Sequence, residues 1–298
     1  MTTNTACAPL PPLAAAEYPF ESHFLDVSGG SMHFLDEGPR DGPPILFLHG
    51  NPTWSFLWRR LTLEFRETHR CIAVDHIGCG FSSKPANWRY SLAAHAENVH
   101  ALVERLDLER VTLVVHDWGG AIGMSLVSRA PGRFARLFVL NTAAFPGPIP
   151  LRIRACRAPV VGPFLVERLN AFAGMLPHYG VADPALLSAA AREGFAHPYR
   201  TAADRIAIRR FVEDIPTSTN HPSWKELAKA SQAIARFVAK PVSIVWGQRD
   251  WCFTPRFRGQ WQSRLPDAKV LSIERAGHLV TEEAPREVAA ELRALLAR

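Results

Sequence analysis

The 298-residue sequence has no run of about 18 apolar residues, so we expect no transmembrane helix. It also has no run of five like charges, and its net charge of +6 is spread along the chain. A dedicated nucleic-acid-binding arm is therefore not expected. The first residues, MTTNTACAPLPPLAAAEYP, lack a basic segment, and prolines interrupt their apolar stretch. This start of the chain is not typical of a signal peptide.

Cysteine is scarce, and its spacing is irregular. No C-x-x-C pair occurs, which argues against a disulfide framework or a structural zinc site and favours a cytoplasmic location. The twelve histidines show no ligand spacing, so we expect no metal site, and nothing in the sequence calls for a cofactor. The five cysteines are Cys7, Cys71, Cys79, Cys156 and Cys252.

Short apolar runs alternate with helical patterns, which is typical of buried parallel strands covered by helices on both faces. Two alternating runs around Gly29-Gly30 precede them and predict a hairpin. The fold class is therefore predicted to be α/β, with a mixed and mostly parallel sheet. The predicted buried strands are Ile45–Leu48, Cys71–Val74, Val111–Val115, Leu137–Leu140 and Val242–Trp246.

The alternation stops near Phe145 and resumes at Val242. We expect residues 146–237 to form a helical cap over the carboxyl ends of the strands, where open α/β sheets bind ligands. Residues 19–145 and 238–298 would form the core, and residues 1–18 a flexible tail. The helices expected in the cap are Pro163–Met175, Pro184–Gly194, Ala202–Glu213 and Trp224–Phe237.

The stretch Val111-Thr-Leu-Val-Val-His-Asp-Trp-Gly-Gly120 predicts a buried strand that turns sharply into a helix of small residues. This pattern is the nucleophile elbow, which exposes one reactive side chain at the top of the sheet. That side chain is Asp117, and a carboxylate can attack carbon to form a covalent ester. On its own, Asp117 could instead serve as a helix cap.

A second motif, His49-Gly-Asn-Pro-Thr, follows the predicted strand Ile45–Leu48. In this arrangement the loop and the residue after the nucleophile supply the backbone N–H groups of an oxyanion hole. Here those residues are Asn51 and Trp118. Their side chains add an amide and an indole N–H donor, both suited to a halide, a carboxylate or a developing oxyanion.

A late acid and a late base complete the set. Asp250 follows the strand Val242–Trp246, and His278 follows a strand near Val270–Ile273. The chain order of nucleophile, acid and base is the order of a hydrolase triad on this fold. We expect His278 to activate water against the covalent ester or to transfer a proton, and Asp250 to orient its imidazole. His116 precedes the elbow and is expected to point away from the reacting face.

These motifs resemble the haloalkane dehalogenase branch of the α/β-hydrolase superfamily, over roughly Tyr18 to the C-terminus. The resemblance implies that Asp117 is the nucleophile and that Asn51 and Trp118 form a halide clamp. No acid follows Leu137–Leu140, where some dehalogenases carry theirs, and this leaves Asp250 as the triad acid.

A narrower resemblance is to the β-lactone decarboxylases of bacterial olefin biosynthesis. It implies conversion of a cis-3,4-dialkyl-β-lactone to a cis-alkene and CO2, and other enzymes of that pathway as partners. A dehalogenase is the first alternative, because the triad cannot separate the two reactions. An epoxide hydrolase, with Tyr179 and Tyr199 as proton donors, and a non-catalytic relative are further alternatives. The stretches that carry this resemblance are Asn141–Pro146, Asn170–Phe172, Phe211–Pro216 and Trp246–Phe253.

The cap and elbow are rich in large apolar side chains, and pockets for small molecules are mostly apolar. The sequence therefore predicts an apolar small-molecule substrate. The side chains predicted to line the pocket are Phe145, Phe164, Phe172, Met175, Leu176 and Phe195.

Three arginines, Arg152, Arg154 and Arg157, cluster at the start of the cap. We interpret them as a solvated face, with docking of a partner enzyme as the alternative.

Overall fold

The computed structural model describes residues 9–298, and within them eight strands form one sheet. In chain order the strands are β1 (His23–Val27), β2 (Gly30–Glu37), β3 (Pro44–Leu48), β4 (Arg70–Val74), β5 (Val111–Asp117), β6 (Phe134–Thr142), β7 (Val242–Gly247) and β8 (Lys269–Ile273). Their order across the sheet is β1-β2-β4-β3-β5-β6-β7-β8. Only the pairs β1–β2 and β2–β4 are antiparallel, and the other pairs are parallel. The predicted fold class and hairpin are confirmed.

The helices alternate with the strands and then fill the cap. Ser91 caps one of them through its side chain, which accepts a hydrogen bond from Ala94 N, as a residue of this type before an apolar run predicts. None of the helices described between residues 9 and 298 has the length and apolar character to cross a membrane. They are α1 (Pro12–Ala16), α2 (Arg59–Phe65), α3 (Leu92–Arg105), α4 (Trp118–Arg129), α5 (Leu151–Cys156), α6 (Leu176–Tyr179), α7 (Ala189–Ala196), α8 (Ile206–Glu213), α9 (Trp224–Ala233), α10 (Pro255–Arg264), α11 (Val280–Glu283) and α12 (Pro285–Leu296).

The sheet is buried on both faces. Successive residues of a strand point to opposite sides, so Leu46 and Leu48 pack toward α3, α4 and α9, while Ile45 and Phe47 pack toward α2 and α12. The continuous apolar runs of the central strands follow from this double burial. The carboxyl ends of β3, β5, β6 and β7 therefore meet along one edge of a rigid layer.

The cap is irregular, and its helices differ from those expected. The predicted helix Pro163–Met175 is instead a π-helical segment, Pro163–Arg168, followed by a turn in which Asn170 has a positive φ of 51°. The short helix α5 was not predicted. Helix α9 packs with Leu227 and Ala230 in the core cluster beside α4. By its packing, α9 thus belongs to the helix layer of the sheet, although the predicted cap extends to residue 237.

The predicted flexible tail is wrong for residues 12–18. Helix α1 buries Ala14 completely, and the Tyr18 hydroxyl lies 2.5 Å from Ser55 Oγ. Glu17 accepts a 2.8 Å hydrogen bond from Nε of Arg59, a buried guanidinium that also pairs with Glu282. Burial and pairing of this kind fix a segment whose composition alone suggests disorder. The first eight residues of the predicted tail lie outside the described residues.

Three buried histidines are in contact below α8. The ring centroids of His49 and His76 are 4.4 Å apart, and those of His76 and His95 are 5.6 Å apart. His95 stacks on Phe211, and neither of its ring nitrogens has a hydrogen-bond partner in the described part of the chain. Burial, with a smaller contribution from His49, lowers the pKa of His95 to about 3. His95 is therefore neutral in the folded protein at neutral pH.

We expect the variant His95→Phe to lose less stability on acidification than the wild type. Unfolded His95 titrates near pH 6.5, so the unfolded state binds the extra proton between pH 6.5 and about 3. The contribution of neutral His95 to the free energy of unfolding is complete above pH 6.5. It falls as the pH drops, by about 2 kcal/mol at pH 5. Phenylalanine keeps the stacking and removes the proton.

Urea unfolding at pH 7.5 and pH 5.0 measures this difference. The exposed His178 provides the control variant His178→Phe, which should lose as much stability as the wild type on acidification. An equal loss in His95→Phe and wild type would contradict the argument.

Candidate active site

Asp117 lies at the sharp turn between β5 and α4, with a φ of 49° that side-chain-bearing residues seldom adopt. The turn needs small neighbours. A Cβ on Gly119 would collide with the carbonyl of Leu48, and one on Gly50 would collide with the Asp117 carboxylate. The chain passes this close because both residues are glycines. The predicted strand–turn–helix geometry is present.

The two oxygens of the Asp117 carboxylate have different surroundings. Oδ1 accepts a 2.6 Å hydrogen bond from the backbone N–H of Asn51, and the backbone N–H of Trp118 also donates to the carboxylate. Oδ2 faces His278. Burial raises the pKa of Asp117, and His278 and the two N–H groups only partly offset this. One oxygen is anchored and the other is available to react.

His278 and Asp250 lie next to the nucleophile. His278 Nδ1 is 2.8 Å from Asp250 Oδ2, and His278 Nε2 is 3.8 Å from Asp117 Oδ2. Burial alone lowers the pKa of His278, but the charges of Asp250 and Asp117 outweigh it and raise the pKa above its usual value. The structure therefore brings together the three residues that the chain order predicted.

Asn141, at the end of β6, supports the acid. Its side-chain N–H group donates to Asp250 Oδ2 at 2.9 Å and to the Gly247 carbonyl at 3.1 Å, while its Oδ1 accepts from the Gly247 N–H. The other Asp250 oxygen accepts from the backbone N–H groups of Cys252 and Phe253. The sequence analysis names Asn141 only within the stretch Asn141–Pro146 and assigns it no role. Its place at the end of a strand, together with an amide that both donates and accepts hydrogen bonds, could have indicated a role in the site.

Glu283 holds the loop of the base to the cap. Its carboxylate accepts hydrogen bonds from the Gly277 N–H at 2.6 Å and from the Ala182 N–H at 2.8 Å. A third, from the Asp183 N–H, is 3.3 Å long. Sequence reasoning missed this residue because the three donors are backbone groups on two distant segments.

The side-chain donors of Asn51 and Trp118 differ in their environment. The Asn51 amide donates one hydrogen bond to the Ile208 carbonyl of α8 at 3.0 Å, so part of its donor capacity is used by the cap. The Trp118 indole packs against Phe211, and its N–H has no partner within residues 9–298. Both residues line the cavity above Asp117. Trp118 is thus the donor that is free for a ligand.

A cavity of about 140 Å³ lies between the sheet edge and the cap, with Asp117, Trp118 and His278 among its walls. Of the six predicted pocket side chains, Phe145, Phe172 and Leu176 line it. Sequence reasoning missed other apolar lining residues because they come from separate segments of the cap and from the loop after β7. These include Ile149, Tyr179, Val212, Ile215, Trp251 and Phe253.

The pocket prediction is wrong for the other three side chains. Phe164 is 56% exposed and Met175 is 48% exposed, so both face outward. Phe195 is buried, but it packs edge-on against Phe56 under α7, away from the cavity. Apolar residues of short, irregular cap segments have no periodicity that separates the cavity side from the outer side.

His116 is buried behind the site and is absent from the cavity walls. Its Nε2 donates to the backbone carbonyl of His278 at 2.9 Å. Burial, with the nearby charge of His278, lowers its pKa well below the usual value. His116 therefore supports the His278 loop as a neutral side chain.

Cys252 lines the cavity, and burial raises the pKa of its thiol well above the usual value.

Comparison with known proteins supports the predicted fold and family independently of the site geometry. Residues 43–155 match the family model described as the alpha/beta hydrolase fold. The chain is 38% identical over 277 residues to a cis-3-alkyl-4-alkyloxetan-2-one decarboxylase of Shewanella oneidensis, covering 91% of this chain and 86% of that protein. The chain belongs to the α/β-hydrolase family.

Two further relatives come from the same family. A cis-3-alkyl-4-alkyloxetan-2-one decarboxylase of Xanthomonas campestris pv. campestris is 36% identical, over 94% of this chain and 97% of that protein. The crystal structure of a haloalkane dehalogenase from Agrobacterium tumefaciens C58 superimposes with a TM-score of 0.83 at 28% identity, covering 97% and 99% of the two chains. The relatives of this α/β-hydrolase are enzymes, as the intact triad predicts.

The two cap tyrosines do not face the nucleophile as a pair. The Tyr179 hydroxyl donates to the Phe172 carbonyl at 2.8 Å, and the Tyr199 hydroxyl donates to the Thr53 carbonyl. Tyr199 does not line the cavity. An α/β-hydrolase acting on epoxides would need hydroxyl donors directed at the substrate oxygen, so this geometry disfavours that alternative.

Proposed function

We propose that this α/β-hydrolase is a β-lactone decarboxylase that converts cis-3-alkyl-4-alkyloxetan-2-ones to cis-alkenes and CO2. The observation that carries the proposal is the similarity to two decarboxylases of this name over more than nine tenths of the chain, cap included. The geometry supports it, because a buried carboxylate faces an apolar cavity with one free N–H donor. We assign Asp117 as nucleophile, with His278 and Asp250 as its partners.

The first step opens the lactone ring. Asp117 Oδ2 attacks the alkyl-bearing ring carbon that is bonded to the ring oxygen, not the carbonyl carbon. The bond between that alkyl-bearing carbon and the ring oxygen breaks with inversion, and its electron pair stays on the oxygen. The product is an alkyl ester of Asp117 whose neighbouring carbon bears a free carboxylate. The Trp118 indole N–H donates to the oxygen on which this charge develops, and Asn51 N–H keeps the other Asp117 oxygen in place.

The second step releases both products. The bond between the carboxylate and its carbon breaks, its electron pair forms the alkene, and the Asp117 carboxylate leaves. Inversion followed by anti elimination keeps the two alkyl groups on the same side, so a cis-lactone gives a cis-alkene. His278, with its raised pKa, stabilises the departing Asp117 carboxylate 3.8 Å away. No water is consumed.

A haloalkane dehalogenase is the second candidate, and the similarity to the Agrobacterium structure favours it. The same Asp117 would displace a halide held by Trp118 and Asn51. His278 would then activate a water molecule against the ester. The two functions differ in the need for water and in the leaving group, and the triad is common to both.

We expect the purified enzyme to form cis-alkene and CO2 from a cis-3,4-dialkyl-β-lactone and to release little or no bromide from a 1-bromoalkane of equal length. Gas chromatography measures the alkene, and ion chromatography measures the bromide. Protein inactivated by heating is the control for spontaneous decarboxylation. Rapid bromide release without alkene from any cis-β-lactone would replace this proposal with the dehalogenase.

As part of the same proposal we place the reaction in olefin biosynthesis in the cytoplasm. Decarboxylation of a dialkyl lactone gives an internal alkene, the product that such a pathway requires. Within the described residues Cys71, Cys79, Cys156 and Cys252 are free thiols, and this supports a reducing location. Enzymes of the same pathway, which would supply the lactone, stay predicted partners.

A further inference from the structure

The outer face of the cap is unusually apolar. Six of the ten large apolar side chains that are exposed within residues 9–298 fall between positions 151 and 175. Two of the segments that carry them, α5 and the π-helical segment Pro163–Arg168, contact each other. Exposed apolar side chains grouped on a folded domain usually mark an interaction site. We call this surface the cap face, and its apolar members are Leu151, Val160, Val161, Phe164, Leu169 and Met175.

The charges on the cap face are predominantly positive. Residues 151–175 contain four arginines and one acidic residue, Glu167, which is paired with Arg209 of α8. Arg154 and Arg168 are exposed and have no ion-pair partner in the described chain. Arg157 donates to the Ile215 carbonyl. The cap face thus offers apolar side chains beside unpaired cations, which complements an anionic and apolar partner.

The cap face adjoins the entrance of the cavity. Pro148 is exposed and lines the cavity, and the neighbouring Ile149 and Pro150 line it too. In α5, Ile153 turns inward to the cavity, while Leu151 and Arg154 on the same helix turn outward. One short segment therefore contributes to both the cavity wall and the cap face.

We propose that the cap face docks on an anionic phospholipid bilayer, so that the cavity opens toward the acyl chains. Basic and apolar side chains together bind such interfaces, the apolar ones by insertion and the arginines by attraction to acidic headgroups. A lactone with two alkyl chains partitions into the same layer. This inference rests on the proposed function for the identity of the substrate, and the cap face itself does not depend on it.

Sedimentation with vesicles tests the docking. The full-length enzyme should bind phosphatidylcholine vesicles that contain phosphatidylglycerol, and should bind pure phosphatidylcholine much more weakly. The double variant Arg154→Gln/Arg168→Gln should weaken binding by about 30-fold, because each charge contributes about fivefold. Val160→Ser/Phe164→Ser should also weaken it. The matched controls Arg105→Gln/Arg286→Gln and Leu186→Ser/Val238→Ser alter exposed residues elsewhere and should bind as the wild type.

Activity provides the second measurement. All variants should decarboxylate a short-chain β-lactone dissolved in water at the wild-type rate, while the cap-face variants should be slower on a long-chain lactone embedded in the acidic vesicles. The docking proposal would be overturned if the wild-type enzyme did not bind acidic vesicles, or if the cap-face variants bound them as well as the controls do. It would also be overturned by a cap face that mediates only self-association, seen as variants that change the oligomeric state alone. Absence of alkene from every lactone would instead overturn the proposed function, whatever the vesicles show.

Discussion

Replacing Asp117 by asparagine should lower the rate of alkene formation by at least about 10⁴-fold, because the covalent step is lost. The amide has the size of the carboxylate, and its oxygen can still accept the hydrogen bond that Asn51 N–H donates to Oδ1. Asparagine also tolerates the positive φ at this position. The variant should therefore fold and should still bind the lactone. Initial rates measured by gas chromatography check this.

Two controls make this result interpretable. Asp26→Asn makes the same change on the exposed surface of β1 and should leave the rate unchanged. Mass spectrometry of Asp117→Asn excludes deamidation back to aspartate. Near-normal turnover by a variant whose mass is that of the amide would show that Asp117 is not the nucleophile.

Trp118→Phe should reduce kcat for the lactone by about 10²–10³-fold, the usual effect of losing one donor that acts on developing charge. The phenylalanine ring can keep the packing of the indole against Phe211, whose centroid is 5.3 Å away. What disappears is the N–H that has no partner among residues 9–298. The effect should therefore fall on kcat more than on KM or on stability.

Trp88→Phe is the matched control. The Trp88 indole N–H donates to Ser28 Oγ, and Trp88 does not line the cavity. This variant should keep the wild-type rate. If Trp118→Phe lost no more activity than Trp88→Phe, the indole N–H would have no part in stabilising charge on the substrate.

The parts of this fold that were predictable are those that local sequence determines. Strands such as β3, β5 and β7 are buried on both faces, so their apolar runs are continuous and easily recognised. Asp117 ends β5, Asp250 follows β7, and His278 follows the partly exposed edge strand β8. All three lie near the carboxyl ends of parallel strands, which is why their meeting point at one sheet edge could be predicted. The chain order of the triad then pointed to the fold family.

The cap was less predictable because its segments are short and lack a single buried face. Phe172 and Phe195 are both apolar cap residues, yet one lines the cavity and the other packs under α7. The contacts that separate them are long-range. The same holds for Glu17, whose partner Arg59 lies 42 residues later and holds in place a segment that composition assigns to a tail.

The carboxylate of Glu283 joins two parts of the molecule that have different tasks. It accepts hydrogen bonds from Ala182 and Asp183 of the cap and from Gly277, the residue before His278. If residues 182–183 of the cap moved away from the His278 loop, these bonds would break and the imidazole would lose its alignment with Asp117. Any opening of the cap that preserves a competent triad must therefore keep residues 182–183 in place against this loop.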